Sequence, residues 1–178
     1  MAKRKLPIWL TEKERDRLLE LELSARDRAI LSVFLFAGLR ANELRMLDVP
    51  DIDFEADTIH VRHAKRDKER MIPLHREAKA ALLKFLGTRA TGPVFLSNRG
   101  KRISYDRLHS LMVKLGELAG LRKRSRPHVA RHSFAVALHE HGADLEKIRD
   151  LLGHEDISTT TIYLHCSMAG KRQAIDSL

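Results

Sequence analysis

Cysteine is nearly missing: Cys166 is the only one in 178 residues. An intramolecular disulfide is therefore impossible, and so is a metal site built from several thiolates. A reducing, intracellular compartment fits that usage. Aromatic side chains are also scarce. Six Phe, two Tyr and one Trp leave few platforms on which single-stranded nucleic acid could stack, which argues against a basic RNA-binding module. No stretch approaches the roughly 18 consecutive apolar residues of a membrane span. The segment Leu6-Pro-Ile-Trp-Leu10 is too short for the apolar core of a signal peptide. These absences lead to the expectation of a soluble, cytoplasmic protein without membrane contact. Acidic residues are in deficit as well, with 24 Asp and Glu against 33 Lys and Arg, a formal charge of +9. Such a surplus points to a polyanionic partner such as nucleic acid. The surplus is also clustered. Arg122, Lys123, Arg124 and Arg126 have no acidic neighbour, and Lys65, Arg66, Lys68 and Arg70 crowd a second stretch. Arg66, Lys68, Arg122, Lys123, Arg124 and Arg126 are accordingly the candidate DNA-binding residues.

A chain of this length with 43% hydrophobic residues can bury one sizeable core, so one domain is expected over 1–178. Thr11 and Glu14 form a capping-box pattern ahead of Leu18 and Leu19, predicting a helix start at Thr11. Ile30, Val33, Phe34 and Ala37 recur at helical spacing over about 25–37, and Gly38 ends or kinks that helix. A short helix follows over 41–47. From Asp51 to Pro73 the period changes to that of strands: around Ile52 and Phe54, over Thr58–His63, and over Arg70–Pro73. The charged connection 64–69 reads as a hairpin tip. Helices return around Ala78, Leu82, Phe85 and Leu86, and again over Leu108–Leu118 behind a Ser104 cap. Pro127 suits a first helical turn and opens a helix to about His141. Asp144 caps a short helix ending at Gly153, and Ser158 can cap a last helix or turn that carries Tyr163. The expected fold class is α+β: mainly α with a small three-stranded antiparallel sheet.

His128 and Arg131 lie three apart on a helix, so both project from one face. Alone, such a pair is ordinarily a solvated charge. His154 directly after a helix-ending glycine is ordinarily a C-cap, and Tyr163 a core tyrosine with its hydroxyl at the surface. Metal ligation is a rival for the histidines. However, His139-Glu140-His141 has the wrong helical spacing to converge, and no pair carries a carboxylate-rich first shell. No metal and no cofactor are expected.

None of those separate readings predicts the whole set. The segment Ala37-Gly-Leu-Arg40-Ala-Asn-Glu43-Leu, then Lys65, His128-x-x-Arg131, Leu152-Gly-His154 and Tyr163 stand in the order of the tyrosine recombinase family. That family includes phage integrases and Xer-type resolvases. Arg131 to His154 spans 23 positions and His154 to Tyr163 spans 9. The flanks Leu6-Pro-x-x-Leu-Thr-x-x-Glu14 and Lys68-Glu-Arg-Met-Ile-Pro73 are similar to it too, so the resemblance covers about 6–170.

The resemblance implies a site-specific DNA recombinase of that family's catalytic-domain fold, acting through a 3′-phosphotyrosyl intermediate. Arg40 and Arg131 would clamp non-bridging phosphate oxygens, a task suited to planar, permanently charged forks. Tyr163 would be the nucleophile, His128 a base or phosphate ligand, and His154 a phosphate donor. Lys65 would protonate the leaving 5′-oxygen, with Lys68 its nearest competitor. Glu43 either orients Arg40 or forms a structural ion pair with it. The family's N-terminal core-binding domain has no counterpart in the sequence, which suits either a fragment or a minimal enzyme. The implied partners are double-stranded DNA and further protomers gathered on it, with a monomer free in solution. A type IB topoisomerase activity and a non-catalytic DNA-binding decoy are the alternatives.

Overall fold

The structure, a computed structural model, describes residues 8–62, 69–121 and 125–154. Lys65, Arg66, Lys68, Arg122, Lys123, Arg124, Tyr163 and Cys166 lie outside those residues. Helix α1 (Glu12–Leu19) starts as its capping box predicts: Thr11 N donates to Glu14 Oε2 at 2.8 Å, and Glu14 N donates to Thr11 Oγ1 at 3.3 Å. Helix α2 (Ala25–Ala37) is capped by Ser24 and followed by α3 (Ala41–Met46). A 3-10 turn at Val49–Asp51 leads into strands β1 (Ile52–Asp53), β2 (Thr58–Val61) and β3 (Arg70–Pro73), which form one antiparallel sheet in that order. Helices α4 (Arg76–Leu86), α5 (Tyr105–Leu118), α6 (Pro127–Glu140) and α7 (Leu145–Leu152) follow.

The first strand is shorter than its alternation suggests. Asp53 Oδ1 accepts the backbone N–H groups of Glu55 and Ala56 at 2.9 and 2.8 Å, which turns the chain before Phe54 can pair. The remaining helix starts follow their caps, including Ser104 for α5, Pro127 in the first turn of α6 and Asp144 for α7.

Helix α2 is buried almost all round, from Ala29 to Leu35, because its sequence is apolar on every face. It packs against α4 on one side and α6 on the other, which makes it the axis of the main core. A smaller apolar cluster holds α7 to α6: Phe134, Ala135 and Val136 meet Ile148 and Leu152, with Trp9 packed against them. Burying each large side chain of this kind contributes about 1.5–3 kcal/mol. The segment before α1 is tied to the same helix, since Leu10 N donates to Ser133 Oγ at 2.7 Å and that hydroxyl donates to Val129 O at 2.7 Å. The ends of α2 and α7, the start of α6 and strand β3 thus converge on α3.

Candidate active site

The centre of this convergence is a carboxylate. Glu43 on α3 is 3% exposed and is met by three guanidiniums. Arg40 donates its backbone N–H to Glu43 Oε2 and Nη1 to Oε1, each at 2.8 Å. Arg70 on β3 faces the carboxylate with both prongs, Nη1 to Oε1 at 3.0 Å and Nη2 to Oε2 at 2.9 Å. Arg131 on α6 stands farther off, with Nη1 3.8 Å from Oε2. Burial pushes the Glu43 carboxyl up, but hydrogen bonding and charge from Arg70, the Arg40 backbone bond and the charge of Arg131 outweigh it. The result is a pKa lowered to about 2.

The guanidiniums also have backbone anchors, all at helix C-termini. Arg131 donates Nη1 to Gly38 O at 2.9 Å and Nη2 to Leu152 O at 2.5 Å. Arg40 Nη2 reaches Gly153 O at 3.3 Å, and Arg70 Nε reaches Leu151 O at 2.9 Å. The last carbonyls of a helix have no intrahelical donor and carry partial negative charge, so cations there are stabilising. The sequence makes these ends available through two glycines. Gly38 closes α2 at φ 60°, and a Cβ there would sit 2.3 Å from a ring carbon of Phe134. Gly153 closes α7 at φ 63°. Its N–H donates to Asp150 O and that of His154 to Arg149 O, the paired bonds of a Schellman motif. That motif aims His154 into the cluster.

Three histidines surround the arginines, and all are held toward the neutral form. His154 is lowered to about 4, first by burial and then by the charges of Arg131, Arg40, His132 and Arg70. His132 is lowered to about 4 by burial, His128 and Arg131. His128, exposed in the first turn of α6, is lowered by partial burial and by Arg131, Arg40 and His109. An arriving dianionic or phosphorane-like group would reverse these electrostatic pushes and favour protonated imidazoles. Permanent guanidinium charge set in poorly solvated surroundings suits stabilisation of a charge-rich phosphoryl transition state.

Of the candidate residues named from the sequence, the structure brings Arg40, His128, Arg131 and His154 together. Arg126 lies at the surface immediately before α6. Arg70 and His132 were not singled out. Arg70 had a sign: it shares a strand face with buried Ile72, so it points inward and not to solvent. His132 follows Arg131 directly and had no separable signal. Among the described residues, no group of three or more His, Cys, Asp or Glu is arranged to hold a metal ion, and no helix is long and apolar enough to cross a membrane.

Known proteins share the sequence pattern and the fold of this chain. Tyrosine recombinase XerC of Thermodesulfovibrio yellowstonii is 37% identical over 182 residues, covering 93% of this chain and 60% of the relative. The crystal structure of XerA recombinase superimposes with a TM-score of 0.88 at 32% identity, over 99% of this chain and 65% of that one. XerH site-specific recombinase, in a post-cleavage complex with its palindromic difH substrate, gives 0.81 at 27% identity, over 96% of this chain and 53% of that one. The chain thus spans about 60% of the length of the curated relatives it matches. Its fold is that of tyrosine recombinase catalytic domains. The sequence profile of the phage integrase family matches residues 8–169, nearly the whole chain, and to that family this protein belongs.

Proposed function

We propose that this chain is a catalytic domain, with its core over about 6–170, that cuts and rejoins double-stranded DNA at specific sites through a 3′-phosphotyrosyl intermediate. The observation that carries the reading is the pairing of Arg40 and Arg131 beside His128 and His154. These are two anchored guanidiniums and two polarised imidazoles in one place. The XerH complex with difH DNA supports DNA as the substrate class.

In the proposed step, Tyr163 Oη attacks the scissile phosphorus while His128 takes the phenolic proton. The bond from phosphorus to the 5′-oxygen breaks, and Lys65 protonates that oxygen as it leaves. Arg40, Arg131 and His154 hold the non-bridging oxygens as their charge grows. The new aryl phosphodiester keeps the energy of the broken bond, so a 5′-hydroxyl from another strand can reverse the step without ATP. Arg66, Lys68, Arg122, Lys123, Arg124 and Arg126 contact the DNA backbone, and protomers gather on DNA from monomers in solution.

Incubation with a nicked duplex that traps the cleaved strand, followed by denaturing electrophoresis, tests this. The unaltered chain and Cys166→Ser are expected to form a protein–DNA adduct, and Tyr163→Phe to bind DNA without forming one. An adduct from Tyr163→Phe removes Tyr163 from the mechanism. Exchanged strands in the product, without a mere change of linking number, distinguish recombination from relaxation.

A further inference from the structure

Three guanidiniums gather on Glu43, but they do not share it equally. Arg70 meets both carboxylate oxygens in a parallel two-pronged pair at 3.0 and 2.9 Å, and its side chain is 10% exposed. Its Nε donates to Leu151 O. Arg70 thus turns its fork away from any arriving phosphate. Arg40 gives Glu43 one prong and keeps 28% of its side chain open. Arg131 is at 3.8 Å, beyond hydrogen-bond reach, and is held by carbonyls. In the order of what lowers the Glu43 pKa, Arg70 precedes both of the others.

We propose that Arg70 is a positioning residue that takes up most of the charge of Glu43, so that Arg40, which shares one prong with the carboxylate, and Arg131, which stands 3.8 Å from it, are not neutralised by it when the scissile phosphate arrives. A carboxylate buried beside two clamps needs a counter-ion. Without Arg70 it would take both prongs of Arg40 and draw in Arg131, and a guanidinium whose whole fork is on a carboxylate is a poor ligand for a second anion. Arg70 also explains why the carboxylate is tolerated: it fixes Arg40 through the backbone N–H and one prong while its charge is spent elsewhere. To clamp a phosphate, Arg70 would have to give up its two-pronged pair with Glu43, whereas Arg131 makes no hydrogen bond to that carboxylate. The inference rests on the recombinase reading.

The test measures adduct formation on the trapping duplex at saturating DNA, for Arg70→Gln, Arg70→Lys, Glu43→Gln and the double variant Glu43→Gln/Arg70→Gln. Arg70→Gln is expected to slow cleavage roughly 100-fold, with DNA affinity within about threefold of the unaltered chain. Arg70→Lys, which keeps a charge but not the fork, should recover to within about tenfold. On a duplex whose scissile phosphate carries a methyl group in place of one non-bridging oxygen, less charge develops, so the Arg70→Gln deficit should shrink several-fold. A merely structural loss would persist unchanged there, and that outcome overturns the proposal. The double variant should cleave within about threefold of Glu43→Gln, since no carboxylate is left to neutralise. This comparison decides even if Arg70→Gln fails to fold, and a double variant far slower than Glu43→Gln also overturns the proposal. No adduct from the unaltered chain sinks the recombinase reading itself, and this one with it.

Discussion

At the scale of residues, His132 and His154 are each lowered from an ordinary 6.5 to about 4, with burial as the first cause. An unfolded chain therefore binds more protons than the native one between those values, so stability rises with pH there. The contribution is complete above about pH 6.5 and is lost as pH falls toward 4. Thermal melts of DNA-free protein should show Tm dropping through this window, and less steeply in His132→Gln/His154→Gln. Equal slopes would place the protons elsewhere. A second prediction concerns the leaving group. Lys65→Ala should slow cleavage by roughly 10²–10⁴, the range of a lost general acid. A 5′-bridging phosphorothioate should restore the rate, because a thiolate leaves without a proton; rescue of Lys68→Ala instead would move the acid to Lys68.

Arg40, His128, Arg131 and His154 were legible as candidates only through their joint order, since the glycine stop, the i,i+3 pair and the glycine–histidine cap each read alone as ordinary solvated charge or capping. Arg70 was not legible as part of the site. It stood in a basic run that reads as a DNA-facing surface; the strand alternation it shares with Ile72 turns it inward, but its partner Glu43 lies 27 positions away.

At the scale of elements, the junction between α2 and α3 controls how closely α6 approaches. Gly38 combines a left-handed φ with Phe134 where its Cβ would lie. Gly38→Ala therefore incurs about 1–2 kcal/mol for the backbone and about 1–3 kcal/mol for the forced repacking. Urea unfolding should report a loss of roughly 2–5 kcal/mol. Cleavage should fall further than stability alone requires, since Gly38 O is an anchor of Arg131. A loss below about 1 kcal/mol would show that Phe134 yields freely. Helix starts at Thr11, Ser104, Pro127 and Asp144 were readable because a cap is a contact within a few residues. Phe54 was read as strand because alternation is blind to an aspartate side chain that bonds the next turn. The tie from Leu10 to Ser133, 123 positions apart, has no local signature at all.

At the scale of the whole molecule, a charge of +9 leads to the expectation that phosphate contact would be the main source of DNA affinity. Affinity should fall steeply with salt, with a log–log slope near −0.9 for each phosphate neutralised. Replacing Arg122, Lys123 and Arg124 with Ala should flatten that slope, as read by fluorescence anisotropy at several salt concentrations. An unchanged slope makes the run a solvated surface and no more. The carbonyl anchors carry a different consequence, one of timing. Arg40 bonds a carbonyl 113 positions later, and Arg131 reaches back 93 positions to Gly38. A ribosome releases a nascent chain at about 5–20 residues per second, N-terminus first. Until residue 153 has emerged, Arg40 has no Gly153 to hold and Arg131 no Leu152. A half-synthesised copy therefore lacks an assembled clamp. Under the proposed mechanism, cutting competence cannot arrive before residue 153, and the nucleophile Tyr163 after it, have both emerged.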